Sequence, residues 1–178
     1  VTTNPSSLKK AVEKREARDE DLDLDSYLRE ILKLCKGLPV SLEVTETSYM
    51  GMVNEGLKLY KIYNRVAKNV YIKIPINPTT DESDNNQFDR LKAIKHLSDR
   101  RVPINCTLIF TPEQALLAAK AGAKFISPFA GREDDLIRDN AKIKYSKEDY
   151  YEMDGVQKGN KLLNDNGIVS GVDLVAHA

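Results

Sequence analysis

Residues 104–129 read INCTLIFTPEQALLAAKAGAKFISPF and contain a strand, a helix and a second strand in one stretch. The runs at its two ends are short and rich in β-branched or aromatic residues, which is typical of strands. Between them, Thr111 can cap a helix, Pro112 suits its first position and Gln114 completes a capping box. Gly122 can supply the left-handed residue that ends the helix. This order predicts a βαβ unit with two parallel strands.

The same alternation extends toward the amino terminus. Strand-like runs at 39–45 and 69–75 are followed by helical periods over 48–67 and 88–97. Strands that alternate with helices at this spacing predict a parallel sheet. Both a doubly wound sheet and a (β/α)8 barrel satisfy this pattern.

The distribution of polar residues within the strands favours one of these architectures. Side chains alternate across a strand, so residues of the same parity share a face. One parity of the four runs is mainly polar and comprises Ser41, Glu43 and Thr45, Tyr71 and Lys73, Asn105 and Thr107, and Ser127. The other parity is aliphatic, and in the third run it comprises Cys106, Leu108 and Phe110. Helices cover both faces of an open parallel sheet, whereas a barrel has an interior that polar residues can line. We therefore predict a (β/α)8 barrel.

The two ends of the chain predict an incomplete barrel in a single domain, residues 1–178. Residues 1–5 have the pattern of a strand end that enters a turn, and 172–178 that of a helix cut short. We count about five of eight strands, the second to the sixth, with a polar loop at 77–87 and a longer insertion around 133–170. Open strand edges favour association, so we expect a poorly stable isolated chain and consider a homo-oligomer.

Composition excludes several functional classes. The chain has 27 Lys and Arg residues and 27 Asp and Glu residues, so its formal net charge is zero. This balance argues against a protein that binds nucleic acid or a membrane surface. Its apolar runs are too short to cross a bilayer, and no leader pattern is visible. Two cysteines, Cys35 and Cys106, do not make a disulfide framework and fit a reducing compartment such as the cytoplasm.

Lys73 is the candidate nucleophile. It lies within a predicted strand between Ile72 and Ile74. A lysine inside a barrel is desolvated, and desolvation favours the neutral amine, which attacks a carbonyl to form a Schiff base. Judged from the strand alone, a lysine whose side chain extends to solvent is slightly favoured over this interpretation.

Other polar residues could assist such a lysine. Glu43, one strand away, could move protons through a water or simply form an ion pair. Asn105, Thr107 and Ser127 offer amide and hydroxyl groups suited to a polyol, or plain polar lining of a barrel. Arg132 follows a strand end, where barrels build their active sites, and its guanidinium could bind a phosphate. For a lone arginine, a surface salt bridge with a neighbouring carboxylate is the favoured alternative.

The sequence offers little for a metal or a cofactor. His96 and His177 lie on separate predicted helices, and no cysteine and histidine spacing suits zinc. Neither a Walker A motif nor a dinucleotide-binding glycine motif occurs. We therefore expect lysine chemistry without a cofactor.

Five linked blocks of sequence resemble transaldolases, which are class I Schiff-base enzymes on a (β/α)8 barrel. In order, the blocks are residues 1–5, 40–44, 72–75, 105–110 with 114–115, and 127–132. The resemblance implies sugar-phosphate substrates and no cofactor. It implies Lys73 as the Schiff-base lysine, Glu43 and Thr107 as holders of the catalytic water, Asn4, Asn105 and Ser127 as ligands of the dihydroxyacetone hydroxyls, and Arg132 as a phosphate ligand.

The implied activity is the transfer of a dihydroxyacetone unit in the pentose phosphate pathway. Donors would be sedoheptulose 7-phosphate or fructose 6-phosphate, and acceptors glyceraldehyde 3-phosphate or erythrose 4-phosphate. The resemblance also places an acid/base carboxylate on a strand before Val1 and a second phosphate-binding arginine after Ala178. Fructose-6-phosphate aldolases typically carry Gln at position 43 and Tyr at position 129, unlike Glu43 and Phe129 here. Such a lyase and a non-catalytic sugar-phosphate-binding remnant remain the alternatives.

Overall fold

The computed structural model describes residues 1–16, 23–76, 88–142, 144 and 171–178. The predicted polar loop at 77–87 and most of the predicted insertion at 133–170 lie outside these residues. Within them, helices and strands alternate as α1 (Pro5–Glu16), α2 (Leu24–Leu34), β1 (Val40–Glu43), α3 (Tyr49–Ala67), β2 (Val70–Pro75), α4 (Asp89–Asp99), β3 (Ile104–Ile109), α5 (Pro112–Ala121), β4 (Phe125–Pro128), α6 (Ala130–Asn140) and α7 (Gly171–His177). None of these helices combines the length and apolarity needed to cross a membrane.

The four strands form one parallel sheet in the order β1-β2-β3-β4. Each strand therefore pairs with the next strand along the chain, and a helix makes every connection. A doubly wound sheet reverses its strand order at a switch point, and no reversal occurs among the four strands that the structure describes. The structure is an α/β fold whose strand order is consistent with part of a (β/α)8 barrel.

The amino-terminal residues continue this sheet beyond β1. Thr2 forms an isolated parallel bridge with Ser41. The Ser41 amide donates to the Val1 carbonyl at 3.0 Å, and the Thr3 amide donates to the Ser41 carbonyl at 3.1 Å. The strand predicted at residues 1–5 is thus present as a single bridge. It ends at Asn4, whose Oδ1 accepts a hydrogen bond from the Ser7 amide at the start of α1.

The hydrophobic core lies between the sheet and its helices. The aliphatic parity of the strands is almost completely buried there, with Val40, Leu42, Val70, Ile72, Ile74, Ile104 and Cys106 each at most 3% exposed. Met52 and Val53 of α3 and Ala93, Ile94 and Leu97 of α4 belong to the same cluster. The predicted division into a polar and an aliphatic parity is therefore confirmed in β1, in β2 and, as far as Thr107, in β3.

The predicted alternation is wrong beyond Thr107. Leu108 has a left-handed backbone (φ 59°), and the pairing with β4 shifts between Thr107 and Ile109. This β-bulge adds one residue to β3 and breaks the period of two. As a result Ile109, and not Leu108, is fully buried in the core. The Phe110 ring packs edge-on against the Phe129 ring instead of joining Cys106 in the core.

The helix signals in residues 104–129 are all confirmed. The Thr111 hydroxyl accepts from the Gln114 amide, and Gln114 Oε1 accepts from the Thr111 amide, which completes the capping box. Pro112 is the first helical residue of α5. Gly122 ends the helix with a left-handed backbone (φ 104°).

Two left-handed glycines provide a matched test of this helix end. A Cβ on Gly122 would lie 2.2 Å from Ser98 Oγ, which donates to the Gly122 carbonyl, whereas a Cβ on Gly37 (φ 85°) would meet no atom within 4 Å. We expect Gly37→Ala to lower the free energy of unfolding by about 1 kcal/mol, the cost of the backbone conformation. Gly122→Ala should lower it by about 2–3 kcal/mol, because the Ser98 hydrogen bond is lost as well. Urea unfolding measures both losses, and equal losses would contradict the role of Ser98.

Candidate active site

Five of the seven predicted site residues lie on one face of the sheet. Glu43 pairs in register with Lys73, Lys73 with Asn105, and Thr107 with Ser127. Together with Ser41, these residues form what we call the polar face, and the core packs on the opposite side. The alternation of side chains along adjacent strands is sufficient to bring them together.

Lys73 is buried on this face. Its residue is 7% exposed, and Nζ lies 3.4 Å from Glu43 Oε2 and 3.5 Å from the Thr3 carbonyl oxygen. The side chain of Glu43 is 17% exposed. Lys73 therefore does not extend to solvent, and its ammonium donates to a carboxylate and to a backbone carbonyl. A buried amine next to a proton acceptor is suited to nucleophilic attack on a carbonyl.

Thr107 carries a buried hydroxyl in the strand next to Lys73. The residue is 1% exposed, and its Oγ1 has no hydrogen-bond partner among the residues that the structure describes. An unpaired buried hydroxyl costs about 1–3 kcal/mol, so such groups are normally satisfied by water or a ligand. Thr107 is thus a group of the polar face that can hold a water or a substrate oxygen.

Asn105 lies at the centre of a hydrogen-bonded chain. Its Nδ2 donates to Ser41 Oγ at 3.0 Å, and its Oδ1 accepts from Ser127 Oγ at 2.9 Å. Ser41 is in β1 and Asn105 in β3, whose backbones would be about 10 Å apart in a flat sheet. Their contact across β2 indicates that the polar face is concave. A cavity of about 290 Å³ borders all three residues.

The structure places Asn4 and Arg132 outside this hydrogen-bonded group. Asn4 is half-buried beside Thr3, and its Oδ1 caps α1. Arg132 is exposed in the first turn of α6, directly after the carboxyl end of β4. Within the described part of the chain, its guanidinium forms no ion pair with Glu133 or Asp134. Both residues follow strand ends, as predicted, and among the described residues neither side chain forms a hydrogen bond with Lys73.

Sequence reasoning missed two contributors and misplaced one residue. Ser41 has the polar parity of Glu43, and this signal could have marked it as a site residue. The Thr3 carbonyl is a backbone group, so no side-chain pattern could reveal it. Thr45 was expected on the polar face, but β1 ends at Glu43. Thr45 is exposed, and its amide and hydroxyl donate to the Glu55 carboxylate of α3.

A buried carboxylate next to Arg132 should make stability depend on pH. Glu133 is 5% exposed, and burial, followed by the charge of Asp134, raises the pKa of its carboxyl. The folded state therefore holds this proton to a higher pH than the unfolded state, and stability falls as the pH rises from the ordinary glutamate pKa to the raised one. We expect Glu133→Gln to be more stable than the parent at pH 7 and equally stable below about pH 4.

Urea unfolding of the parent and of Glu133→Gln at both pH values measures this difference. Glu13→Gln, a change on the exposed surface of α1, is the matched control and should behave like the parent at both pH values. A stability gain for Glu133→Gln of the same size at both pH values would contradict the expectation.

No group of three or more His, Cys, Asp or Glu side chains that could hold a metal ion occurs in the described ranges. The polar face itself presents an amine, a carboxylate, an amide and three hydroxyls. These groups can form a covalent imine with a carbonyl compound and can bind its hydroxyls.

Comparison with known proteins gives a consistent result. Residues 1–169 match the family model described as transaldolase/fructose-6-phosphate aldolase. Probable transaldolases of Nitrosopumilus maritimus and Thermoplasma acidophilum are 43% and 44% identical over 143 and 144 residues, which cover 80% of this chain in both cases. A probable transaldolase of Geobacillus thermodenitrificans is 38% identical over 157 residues, 88% of this chain and 62% of the relative. The chain spans about half of the first two relatives, 54% and 55%. A match that extends over nearly the whole chain shows that it belongs to the transaldolase/fructose-6-phosphate aldolase family.

Proposed function

We propose that this chain carries the Schiff-base site of a transaldolase. The observation that carries the proposal is the buried Lys73 amine, 3.4 Å from the Glu43 carboxylate, on the concave polar face. The substrates are a ketose phosphate, sedoheptulose 7-phosphate or fructose 6-phosphate, and an aldose phosphate, glyceraldehyde 3-phosphate or erythrose 4-phosphate. The activity belongs to the cytoplasmic pentose phosphate pathway and needs no cofactor.

In this proposal the polar face lines the interior of a (β/α)8 barrel that forms a single domain. The uninterrupted strand order and the concave polar face support this assignment. Active sites of such barrels lie at the carboxyl ends of the strands. Arg132, in the first turn of α6 after β4, lies at that end of the sheet.

Imine formation is the step for which the polar face supplies most groups. Glu43 accepts a proton from the Lys73 ammonium, directly or through a water that it holds together with Thr107. The neutral Nζ then adds to the C2 carbonyl carbon, and the carbonyl oxygen takes a proton. The resulting carbinolamine loses water and becomes an iminium ion, with Glu43 returning the proton that the leaving hydroxyl requires.

The iminium ion then accepts the electrons released by carbon–carbon cleavage. The C4 hydroxyl of fructose 6-phosphate loses its proton to the acidic residue that the family resemblance places before Val1. The C3–C4 bond breaks and glyceraldehyde 3-phosphate leaves. The electron pair of the broken bond moves toward the iminium ion and forms an enamine on Lys73. The enamine adds to the aldehyde carbon of erythrose 4-phosphate, and the aldehyde oxygen takes back the proton that the acidic residue holds. Hydrolysis of the resulting iminium ion releases sedoheptulose 7-phosphate. Asn4, Asn105 and Ser127 hold the hydroxyls of the three-carbon unit, and Arg132 holds a phosphate.

Two positions favour transfer over simple aldol cleavage. Glu43 and Phe129 match the transaldolases, whereas Gln and Tyr are typical of fructose-6-phosphate aldolases at these positions. A lyase would release free dihydroxyacetone without an acceptor, while a transferase keeps the three-carbon unit on the lysine until the acceptor arrives.

Borohydride trapping with fructose 6-phosphate tests the proposal. We expect a reduced three-carbon adduct on the Lys73 peptide, identified by intact and peptide mass. Adding erythrose 4-phosphate before the borohydride should remove the adduct and produce sedoheptulose 7-phosphate. Free dihydroxyacetone as the main product would assign the lyase activity instead. Absence of any adduct from the folded protein would contradict both and favour a non-catalytic sugar-phosphate-binding protein.

A further inference from the structure

We propose that Ser41 is a positioning residue that fixes the orientation of the Asn105 amide on the polar face. This inference rests on the proposed function, in which Asn105 binds a hydroxyl of the three-carbon unit. Ser41 itself was not among the predicted site residues. Its role is inferred from the hydrogen bonds that Asn105 makes on both sides.

Both ends of the Asn105 amide are anchored by different strands. Ser41 Oγ of β1 accepts one N–H of Nδ2 at 3.0 Å, and Ser127 Oγ of β4 donates to Oδ1 at 2.9 Å. A side-chain amide has two N–H donors, so one of them is left for a substrate oxygen. Without Ser41, the amide is held only at Oδ1 and can rotate. The remaining N–H would then no longer have a fixed direction.

The backbone of Ser41 is held independently of its hydroxyl. Its amide donates to the Val1 carbonyl, and its carbonyl accepts from both the Thr3 amide and the Thr3 hydroxyl, the latter at 2.7 Å. Removing Oγ therefore leaves the position of this strand residue unchanged. The effect of Ser41→Ala should be confined to the Asn105 amide and to what that amide binds.

The surroundings of Ser41 also permit a conservative rescue. Ser41 is 3% exposed, yet it borders the cavity of about 290 Å³ together with Asn105 and Ser127. The cavity has room for the extra methyl group of a threonine. Ser41→Thr keeps the oxygen that accepts from Asn105, and its β-branched side chain suits a strand. The pair Ser41→Ala and Ser41→Thr thus separates loss of the oxygen from a change of residue.

The first measurement concerns the ligand-free protein and does not depend on activity. In an NMR spectrum of the Asn105 side-chain amide, we expect one of the two Nδ2 protons to be protected from exchange with solvent. Ser41→Ala should remove this protection, and Ser41→Thr should restore it. Protection that persists in Ser41→Ala would overturn the proposal, whether or not the protein forms the adduct on Lys73.

The second measurement is the rate of adduct formation on Lys73 as a function of fructose 6-phosphate concentration. We expect Ser41→Ala to lower the second-order rate constant of adduct formation about tenfold, chiefly by raising the fructose 6-phosphate concentration that gives the half-maximal rate, because one oriented hydrogen bond is lost. Ser41→Thr should remain within about threefold of the parent. In an Asn105→Ala background, adding Ser41→Ala should have no further effect, since both changes remove the same contact.

The outcomes separate this proposal from the proposed function. If the parent forms no adduct, the proposed function fails, while the NMR comparison still decides the role of Ser41. If the parent forms the adduct and Ser41→Ala reacts equally well, Ser41 does not position a binding group. If Ser41→Ala lowers the rate of adduct formation as much in the Asn105→Ala background as in the parent, Ser41 acts on a group other than Asn105. That result would also overturn the inference.

Discussion

Replacing Lys73 with methionine should abolish the borohydride-trapped adduct and lower the transfer rate at least a thousandfold. Methionine has similar length and volume but no amine, so no covalent intermediate can form, and enzymes lose about this much or more when the nucleophile is removed. The substitution leaves the Glu43 carboxylate, whose side chain is 17% exposed, without its partner, so we expect a lower folding stability, and the rates are compared on protein shown to be folded by circular dichroism. Peptide mass after trapping, together with a coupled assay for glyceraldehyde 3-phosphate, measures both quantities.

A surface lysine provides the control for this substitution. Lys120 lies exposed on α5, on the side of the sheet away from the polar face. Lys120→Met should leave both the adduct and the transfer rate unchanged. A three-carbon adduct that still forms on Lys73→Met, at another lysine, would assign the nucleophile elsewhere. Full transfer activity in the same variant would reject a Schiff base on this strand altogether.

Replacing Glu43 with glutamine should lower the rate of adduct formation by about a hundredfold or more, the usual contribution of a general acid and base. Glutamine keeps the shape of the side chain and an oxygen that accepts from Lys73 Nζ, so the geometry at 3.4 Å can persist. It cannot accept the ammonium proton, however, and cannot return one to the departing water. The adduct on Lys73 should still form, but slowly. A time course of adduct formation distinguishes this slow reaction from a complete loss of reactivity.

The matched control is Glu46→Gln, three residues further along the chain. Glu46 is exposed after the end of β1, so the same loss of charge occurs without a change on the polar face. Glu46→Gln should react like the parent. If Glu43→Gln reacts like the parent too, Glu43 is a structural ion-pair partner of Lys73, which is the alternative that the sequence left open.

The elements and the polar face were predictable because their signals are local. Thr111, Gln114 and Gly122 act within one helix, and the alternation of Lys73 with Ile72 and Ile74 acts within one strand. Parallel pairing then aligns neighbouring strands, so residues of equal parity meet without further information. For this reason the sequence alone predicts the approach of Lys73 to Glu43.

What could not be predicted depends on contacts between distant residues. Thr45 leaves the polar face because Glu55, ten residues later, binds its amide and hydroxyl. The left-handed turn at Leu108 has no marker in the sequence, because glycine is the residue that ordinarily signals such a conformation. The contact between Ser41 and Asn105 requires the sheet to be curved, and curvature arises only from the packing of the whole sheet.

The separation of the two strand faces has a consequence for how relatives of this protein can diverge. Every strand contributes one set of side chains to the packing that holds the molecule together and a different set to the concave surface. In the proposed function, substitutions at Ser41, Asn105 or Ser127 alter what the concave surface binds. Their cost is limited to the hydrogen bonds of that surface, about 1–3 kcal/mol for each buried polar group left unpaired, while the packing of Ile72 and Ile104 is unchanged. New specificities can arise by successive single mutations on this scaffold, because few of the intermediate variants lose the packing that keeps the protein folded.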